Sequence, residues 1–206
     1  KVIKGLYYSR KEIEANLMGW PGSVPSLLAL RSAAGGGKTC MMDHLAGQWQ
    51  KEELPVLFIR AQGLEQADLL KLVQDRLRLE EEVTFFDLAG ALDQPLLILI
   101  DGLNEHASPK DFLASILEQA GQAKERTFKC FFTVRTENLD WVELNEGEKQ
   151  LFQAEANTEN ALTKEEEEKL PGPLLAPLDR LEVEAIWQEY GAKEPKKFKP
   201  RFSFED

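Results

Sequence analysis

A glycine-rich segment, Ser32–Thr39, carries the clearest chemistry in this sequence. It reads Ser-Ala-Ala-Gly-Gly-Gly-Lys-Thr and lies between an apolar run and a segment with helical periodicity. Consecutive glycines let the backbone turn so that successive N–H groups point into one concavity, and a helix N-terminus adds partial positive charge. The pattern predicts a loop that binds the phosphates of a nucleotide, with Lys38 at the β- and γ-phosphates and the Thr39 hydroxyl on Mg²⁺.

The first position of this loop departs from the usual pattern, because Ser32 stands where glycine is usual. Serine is common at the start of turns, so we interpret it as a tolerated variant. The alternative is a glycine-rich strand-to-helix turn that binds no ligand. If the loop binds a nucleotide, the residues expected to contact it are Ser32, Ala33, Ala34, Gly35, Gly36, Gly37, Lys38, Thr39 and Cys40.

A second group of polar residues follows a buried strand. The apolar run Leu96–Ile100 leads into Asp101, and Glu105 stands four residues further on. A strand buried on both faces carries its last residue to the carboxyl edge of the sheet, where ligands bind in open α/β folds. There Asp101 would hold Mg²⁺ beside Thr39, partly through water, and Glu105 would orient or deprotonate the attacking water. The alternative is that Asp101 caps a turn and Glu105 is a surface acid.

A later strand, Phe128–Val134, also ends in polar residues, namely Thr133 and Arg135. If it lies between the first and third strands, both residues would face the γ-phosphate. The planar guanidinium pairs well with phosphate, so Arg135 would then report whether that phosphate is present. The alternative is a strand-end arginine that pairs with a surface acid.

Strands and helices alternate along the chain, which predicts an α/β fold. We expect a P-loop NTPase fold of about five parallel strands with helices on both faces, a three-layer αβα arrangement. The predicted strands are Ser26–Leu30, Pro55–Arg60, Pro95–Ile100, Phe128–Val134 and Leu174–Leu178. The predicted helices are Lys38–Trp49, Gln66–Leu79, Phe85–Leu92, one that a capping box opens at Ser108, and one that opens at Asp179.

The expected organisation has five parts. Residues 1–24 precede the phosphate loop on the adenine side, and residues 25–137 form the NTPase core. Residues 138–173 are a polar, irregular insertion, and residues 174–192 supply the last strand and helix. Residues 193–206 form a basic linker to a region beyond this chain.

Charge and composition limit the partners of this domain. With 36 acidic and 25 basic residues, the net charge is −11, which argues against binding to nucleic acid. No apolar run is long enough to cross a membrane and no signal peptide is visible, so we expect a cytoplasmic domain. Cys40 and Cys130 are predicted to be reduced thiols rather than a disulfide.

Several segments resemble the NACHT and NB-ARC branch of the signalling ATPases called STAND NTPases. Leu97–Glu105 is similar to the Asp-Gly-Leu-Asp-Glu signature of NACHT domains, and Thr133–Thr136 is similar to their Thr-Ser-Arg sensor. Tyr7–Ile13 resembles the Gly-Arg-x-x-Glu segment that packs near the adenine, which places Arg10 at the nucleotide. Leu178–Trp187 resembles the helix after the fifth strand.

The resemblance implies a Mg²⁺-dependent ATP- and ADP-binding switch in a larger signalling or defence protein. In that family exchange of ADP for ATP permits oligomerisation, so a homo-oligomer of the full-length protein is implied. Asn104 replaces the second acid of the signature, so we expect slow hydrolysis.

Other classes of P-loop protein remain as alternatives. The first is an AAA-type ATPase whose turnover drives remodelling, possibly on nucleic acid; the second is a scaffold that does not hydrolyse nucleotide. A small-molecule kinase is a more distant alternative. A GTPase is disfavoured, because Asp87–Gly90 lies on a predicted helix and no guanine-binding motif is present.

Overall fold

A four-stranded parallel sheet forms the centre of this computed structural model, which describes residues 9–123, 128–152, 169–176, 182–184 and 188. The strands lie in the order β1-β4-β3-β2, with all neighbours parallel. The strand that ends in Thr133 and Arg135, β4, therefore lies between β1 and β3, as the prediction for these two residues required. The bounds are Leu27–Ser32 for β1, Val56–Arg60 for β2, Leu96–Asp101 for β3 and Phe128–Arg135 for β4.

Four of the described helices match predicted ones, with small shifts at their ends, whereas Lys11–Met18 and Glu146–Lys149 were not predicted to be helices. The predicted helix Gln66–Leu79 starts three residues late, because Asp68 caps it by accepting from the Lys71 N–H at 3.0 Å. Three 3₁₀ turns cover Trp20–Gly22, Leu103–Glu105 and Thr136–Asn138. The α-helices are α1 (Lys11–Met18), α2 (Lys38–Lys51), α3 (Leu69–Leu77), α4 (Phe85–Leu92), α5 (Pro109–Gln122) and α6 (Glu146–Lys149).

Both faces of the sheet are covered, which explains why its strands are apolar throughout. On one face, alternate strand residues pack against α2 and the segment before β1, where Trp20, Trp49 and Phe131 have ring centroids 6.0–6.3 Å apart. On the other face, the remaining strand residues pack against α3, α4 and α5. The expected α/β arrangement with helices on both faces is therefore confirmed.

The fifth strand expected at Leu174–Leu178 is wrong for the part of the chain that the structure describes. Leu174 forms only an isolated bridge with Arg31 of β1. The Arg31 N–H donates to the Pro173 carbonyl at 3.0 Å, and the Leu175 N–H donates to the Arg31 carbonyl at 2.7 Å. Proline has no N–H to donate, so Pro173 limits a ladder here, and the sheet formed by the described residues has four strands rather than five.

The start of the segment 138–173, which was expected to be a polar, irregular insertion, packs against the core. Leu139, Val142 and Phe152 are at most 5 % exposed, and Phe152 forms an isolated bridge with Leu27. Sparse apolar residues thus anchor a segment that lacks periodicity. Residues 153–168 lie outside the described residues, as do residues 1–8, 193–206 and most of the helix predicted from Asp179.

The start of α5 differs from the predicted capping box. Ser108 occupies the N-cap position, but its side chain makes no capping hydrogen bond. Its N–H donates instead to Nδ1 of His106 at 2.9 Å, and Nε2 of that ring lies 3.1 Å from the Gln66 carbonyl. His106 is only 4 % exposed, and its ring links the start of α5 to the segment before α3.

Three further sequence features have a simple structural explanation: the GTPase-like segment at Asp87, the two cysteines and the apolar runs. Asp87 is part of a capping box with Thr84 at the start of α4, so its likeness to a GTPase motif is incidental. Cys130 is buried and Cys40 half-buried, and both are free thiols. None of the described helices is both long and apolar enough to cross a membrane.

Candidate functional site

The glycine-rich loop connects the end of β1 to the start of α2. Gly35 and Gly37 have φ angles of +77° and +88°, in the left-handed region that glycine adopts without steric cost. Gly36 is required for a different reason, since a Cβ there would lie 1.9 Å from Oγ of Ser32. The serine at the first loop position is therefore accommodated by the glycine four residues later.

The Lys38 side chain folds back over its own loop. Its Nζ donates to the carbonyls of Ser32 and Ala33 at 2.8 and 2.9 Å, and lies 3.3 Å from Oγ of Ser32. Burial lowers the pKa of Lys38; the Glu137 carboxylate opposes this effect and the Arg135 guanidinium adds to it. The Lys38 ammonium group is thus held against the carbonyls at the start of the loop.

Thr39, Asp101 and Thr133 come together from α2, β3 and β4. The Thr39 hydroxyl lies 2.9 Å from both carboxylate oxygens of Asp101, and the Thr133 hydroxyl lies 3.0 Å from one of them. Thr133 in turn accepts from the Gly102 N–H at 2.8 Å, so it orients Asp101. Hydroxyl and carboxylate oxygens are the ligands that Mg²⁺ prefers, so Thr39 and Asp101 fit this ion.

Glu105 and Arg135 form an ion pair beside this cluster. Nη2 of Arg135 lies 2.5 Å from Oε1 of Glu105, with the two side chains 41 % and 32 % exposed. The Arg135 N–H donates to Oδ1 of Asn104 at 3.1 Å. Gly102, with φ +74°, supports the turn, since a Cβ there would lie 3.2 Å from Cδ of Glu105. The strand-end arginine does pair with an acid, and that acid is the expected base.

Arg10 contacts a different region from the loop. Its guanidinium donates to the Ala176 carbonyl, while its backbone N–H donates to Glu14 at 2.5 Å. The second guanidinium nitrogen, Nη2, is buried and makes no hydrogen bond. Arg10 thus joins the segment before α1 to the segment that follows the bridge at Leu174. Cys40 lies in the first turn of α2, where burial raises the pKa of its thiol.

One residue at the loop was not anticipated. Oε1 of Glu137 accepts from the Ala34 N–H at 3.0 Å, across 103 positions of sequence. Hydrogen bonds from its own N–H and from Ala34 lower the pKa of Glu137. The only signal in the sequence is its position two residues after Arg135. A carboxylate therefore binds one of the backbone donors of the predicted phosphate loop.

Solved structures share this arrangement of strands and helices. A Walker-type ATPase of Pyrococcus abyssi superposes with a TM-score of 0.55 and 14 % identity, over 97 % of this chain and 62 % of that one. AMPPCP-bound DnaA from Aquifex aeolicus superposes with a TM-score of 0.54 and 13 % identity, over 97 % of this chain and 55 % of that one. The ORC1 protein of Aeropyrum pernix, in complex with DNA, superposes with a TM-score of 0.51 and 13 % identity, over 95 % of this chain and 52 % of that one.

The fold is that of a Walker-type P-loop ATPase. At these identities the likeness concerns the fold alone. The chain spans about half to three-fifths of the length of these solved proteins. Comparison of the sequence with family models and with curated proteins finds no match.

Proposed function

We propose that this P-loop domain binds ATP and ADP with Mg²⁺, hydrolyses ATP slowly, and acts as the switch of a larger STAND-class signalling or defence protein. The observation that carries the proposal is the ion pair between Arg135 and Glu105. It joins a group suited to sense a γ-phosphate to a group suited to activate water. One contact can therefore couple nucleotide state to chemistry.

The residues around Asp101 support nucleotide binding with magnesium. Lys38 and the loop N–H groups would take the phosphates, and α2 would add its N-terminal partial charge. Thr39 and Asp101 would hold Mg²⁺, which supplies electrostatic stabilisation of charge on the β- and γ-phosphates. Thr133 keeps the Asp101 carboxylate turned towards Thr39 through its own hydrogen bonds.

Two features of the catalytic side support slow turnover. Glu105 is engaged by Arg135, so it has to leave this ion pair before it can orient or deprotonate water. Asn104 has no charge, and its side-chain oxygen is used to hold the Arg135 backbone. A phosphate that attracts the guanidinium would release Glu105, so hydrolysis would follow only after the ion pair opens.

The STAND assignment rests on the likeness of Leu97–Glu105 and Thr133–Thr136 to the NACHT motifs. Adenine specificity and homo-oligomers of the full-length protein, formed when ATP replaces ADP, are part of the same proposal. Arg10 would act from the adenine side, where it ties the start of α1 to the segment that follows the bridge at Leu174. A switch of this kind works if the γ-phosphate changes contacts that favour one of two arrangements.

An AAA-type remodelling ATPase is the second candidate, and the structural likeness to DnaA and ORC1 favours it. The solved ORC1 structure contains DNA. The net charge of −11 opposes a role on nucleic acid for this domain. Turnover that rises strongly when DNA is added would support this candidate over the switch.

The test of the proposed function is the change Glu105→Gln. We expect nucleotide binding to remain while ATP turnover falls by about a hundredfold, because loss of a general base typically costs 10²–10⁴ in rate. The measurements are phosphate release and the rise in melting temperature with Mg²⁺–ATP. Glu81→Gln, which changes an exposed acid between α3 and α4, is the matched control. Unchanged turnover in Glu105→Gln would contradict the proposed role.

A further inference from the structure

The carboxylate of Glu137 binds the phosphate loop from outside. Its Oε1 lies 3.0 Å from the Ala34 nitrogen, and both residues are at the surface. The donor is a backbone N–H of the glycine-rich loop, the kind of group that such loops offer to phosphate oxygens. A carboxylate and a phosphate are both oxyanions, so they compete for the same donor.

The position of Glu137 places its charge near the end of the site that would hold a terminal phosphate. It follows Arg135 by two residues, and Arg135 pairs with Glu105. Among the carboxylates that oppose the lowering of the Lys38 pKa by burial, Glu137 has the largest effect. Lysine at this loop position reaches the β- and γ-phosphates, so Glu137 faces the same region.

The backbone around Glu137 is held on both sides. The Arg135 N–H donates to Asn104, and Leu139 is 3 % exposed. Between them, the 3₁₀ turn Thr136–Asn138 presents the glutamate to the loop. Rotation of the exposed side chain is therefore enough to release the Ala34 N–H, with no change in the sheet.

We propose that Glu137 determines nucleotide specificity by occupying the Ala34 N–H until a γ-phosphate displaces it. This inference rests on the proposed nucleotide-binding function. ATP places a further negative group in the region that the carboxylate faces, whereas ADP ends before it. Glu137 thus weakens the binding of ATP more than the binding of ADP. It therefore favours the ADP-bound state of the domain.

The test compares Glu137→Ala with Glu81→Ala, which removes an equal charge from an exposed site elsewhere. Dissociation constants for Mg²⁺–AMPPCP and Mg²⁺–ADP are measured by calorimetry on the 206-residue chain. We expect Glu137→Ala to tighten the binding of AMPPCP relative to that of ADP by roughly fivefold. This value lies at the lower end of the coupling usually measured between sites. Glu81→Ala should leave the ratio of the two constants unchanged.

Glu137→Gln separates the two contributions of the side chain. The amide oxygen can still accept from Ala34 but carries no charge, so an intermediate ratio is expected. Binding with an unchanged ratio in Glu137→Ala overturns this inference alone. Absence of nucleotide binding by the unmodified chain overturns the proposed function and this inference together.

Discussion

The two halves of the candidate site differ in how their polar groups are paired. In the magnesium half, formed by Thr39, Asp101 and Thr133, the Asp101 carboxylate lies 2.9 Å from the Thr39 hydroxyl and 3.0 Å from the Thr133 hydroxyl. In the γ-phosphate half, the charged groups satisfy one another instead. Arg135 pairs with Glu105, and Glu137 binds the loop N–H of Ala34.

This difference in pairing would separate the affinity for both nucleotides from the response to the γ-phosphate. If the domain binds nucleotides as proposed, the magnesium half would need little reorganisation and would serve ADP and ATP in the same way. The γ-phosphate half would have to exchange its internal ion pair and hydrogen bond, and this exchange would depend on the γ-phosphate. The difference between the two nucleotides would then arise on one side of the site.

The largest effect is expected from Lys38→Ala, because Lys38 is proposed to bind the β- and γ-phosphates directly. Loss of this positive charge should raise the dissociation constants of ATP and ADP by more than about a hundredfold, which corresponds to roughly 3 kcal/mol of binding free energy. The measurement is the melting temperature with each nucleotide, where hundredfold excess over Kd stabilises by about 2.7 kcal/mol. Lys51→Ala, at the exposed end of the same helix, is the control. A full thermal shift in Lys38→Ala would refute the site.

The next effect is expected from Asp101→Asn, which tests the magnesium half alone. The neutral amide should abolish the increase in affinity that Mg²⁺ gives, while binding of metal-free ADP changes by less than about threefold. Calorimetric titrations with Mg²⁺ and with a chelator measure both quantities. Equal losses with and without the metal would show that Asp101 acts through the fold rather than through magnesium.

A smaller and more selective effect is expected from Arg135→Ala in the γ-phosphate half. AMPPCP should bind about tenfold more weakly and ADP nearly as before, since only the former has a phosphate for this guanidinium. Arg135→Lys should recover part of the loss, because it keeps the charge without the planar fork. Parallel losses for both nucleotides would remove the distinction between the halves.

The smallest effect is expected within the loop, from Gly36→Ala. The added Cβ meets the Ser32 hydroxyl, so we expect a loss of about 1 kcal/mol in unfolding free energy. Adding Ser32→Gly should recover part of this loss, which a double-mutant cycle by chemical denaturation measures. Strict additivity of the two changes would show that Oγ of Ser32 does not constrain Gly36.

The sequence was informative wherever a short local pattern determines structure. Continuous apolar runs predicted the four observed strands, and the residues just after Leu30 and Ile100 predicted the loop and its facing carboxylate. The bounds of α4 agree with the prediction, because Thr84 and Asp87 cap it locally. The fold class follows from the alternation of these elements, since parallel strands require helical crossovers.

Long-range contacts of single side chains were not predictable. Glu137 reaches Ala34 across the fold, and Arg10 reaches Ala176, with no local pattern to indicate either contact. Phe152 is buried within a polar stretch that lacks periodicity. Within the described residues, Leu174 forms only an isolated bridge to β1, and the adjacent Pro173 supplies no N–H for a longer ladder.

Two short chain segments protect the outer edge of β1 against intermolecular pairing. An edge strand offers unpaired N–H and C=O groups to other chains, a common route to aggregation. Here isolated bridges meet β1 at Leu27 and at Arg31, and all six residues of the strand are buried. Both ends of β1 are therefore partly covered, which restricts pairing with a second chain along the strand that leads into the glycine-rich loop.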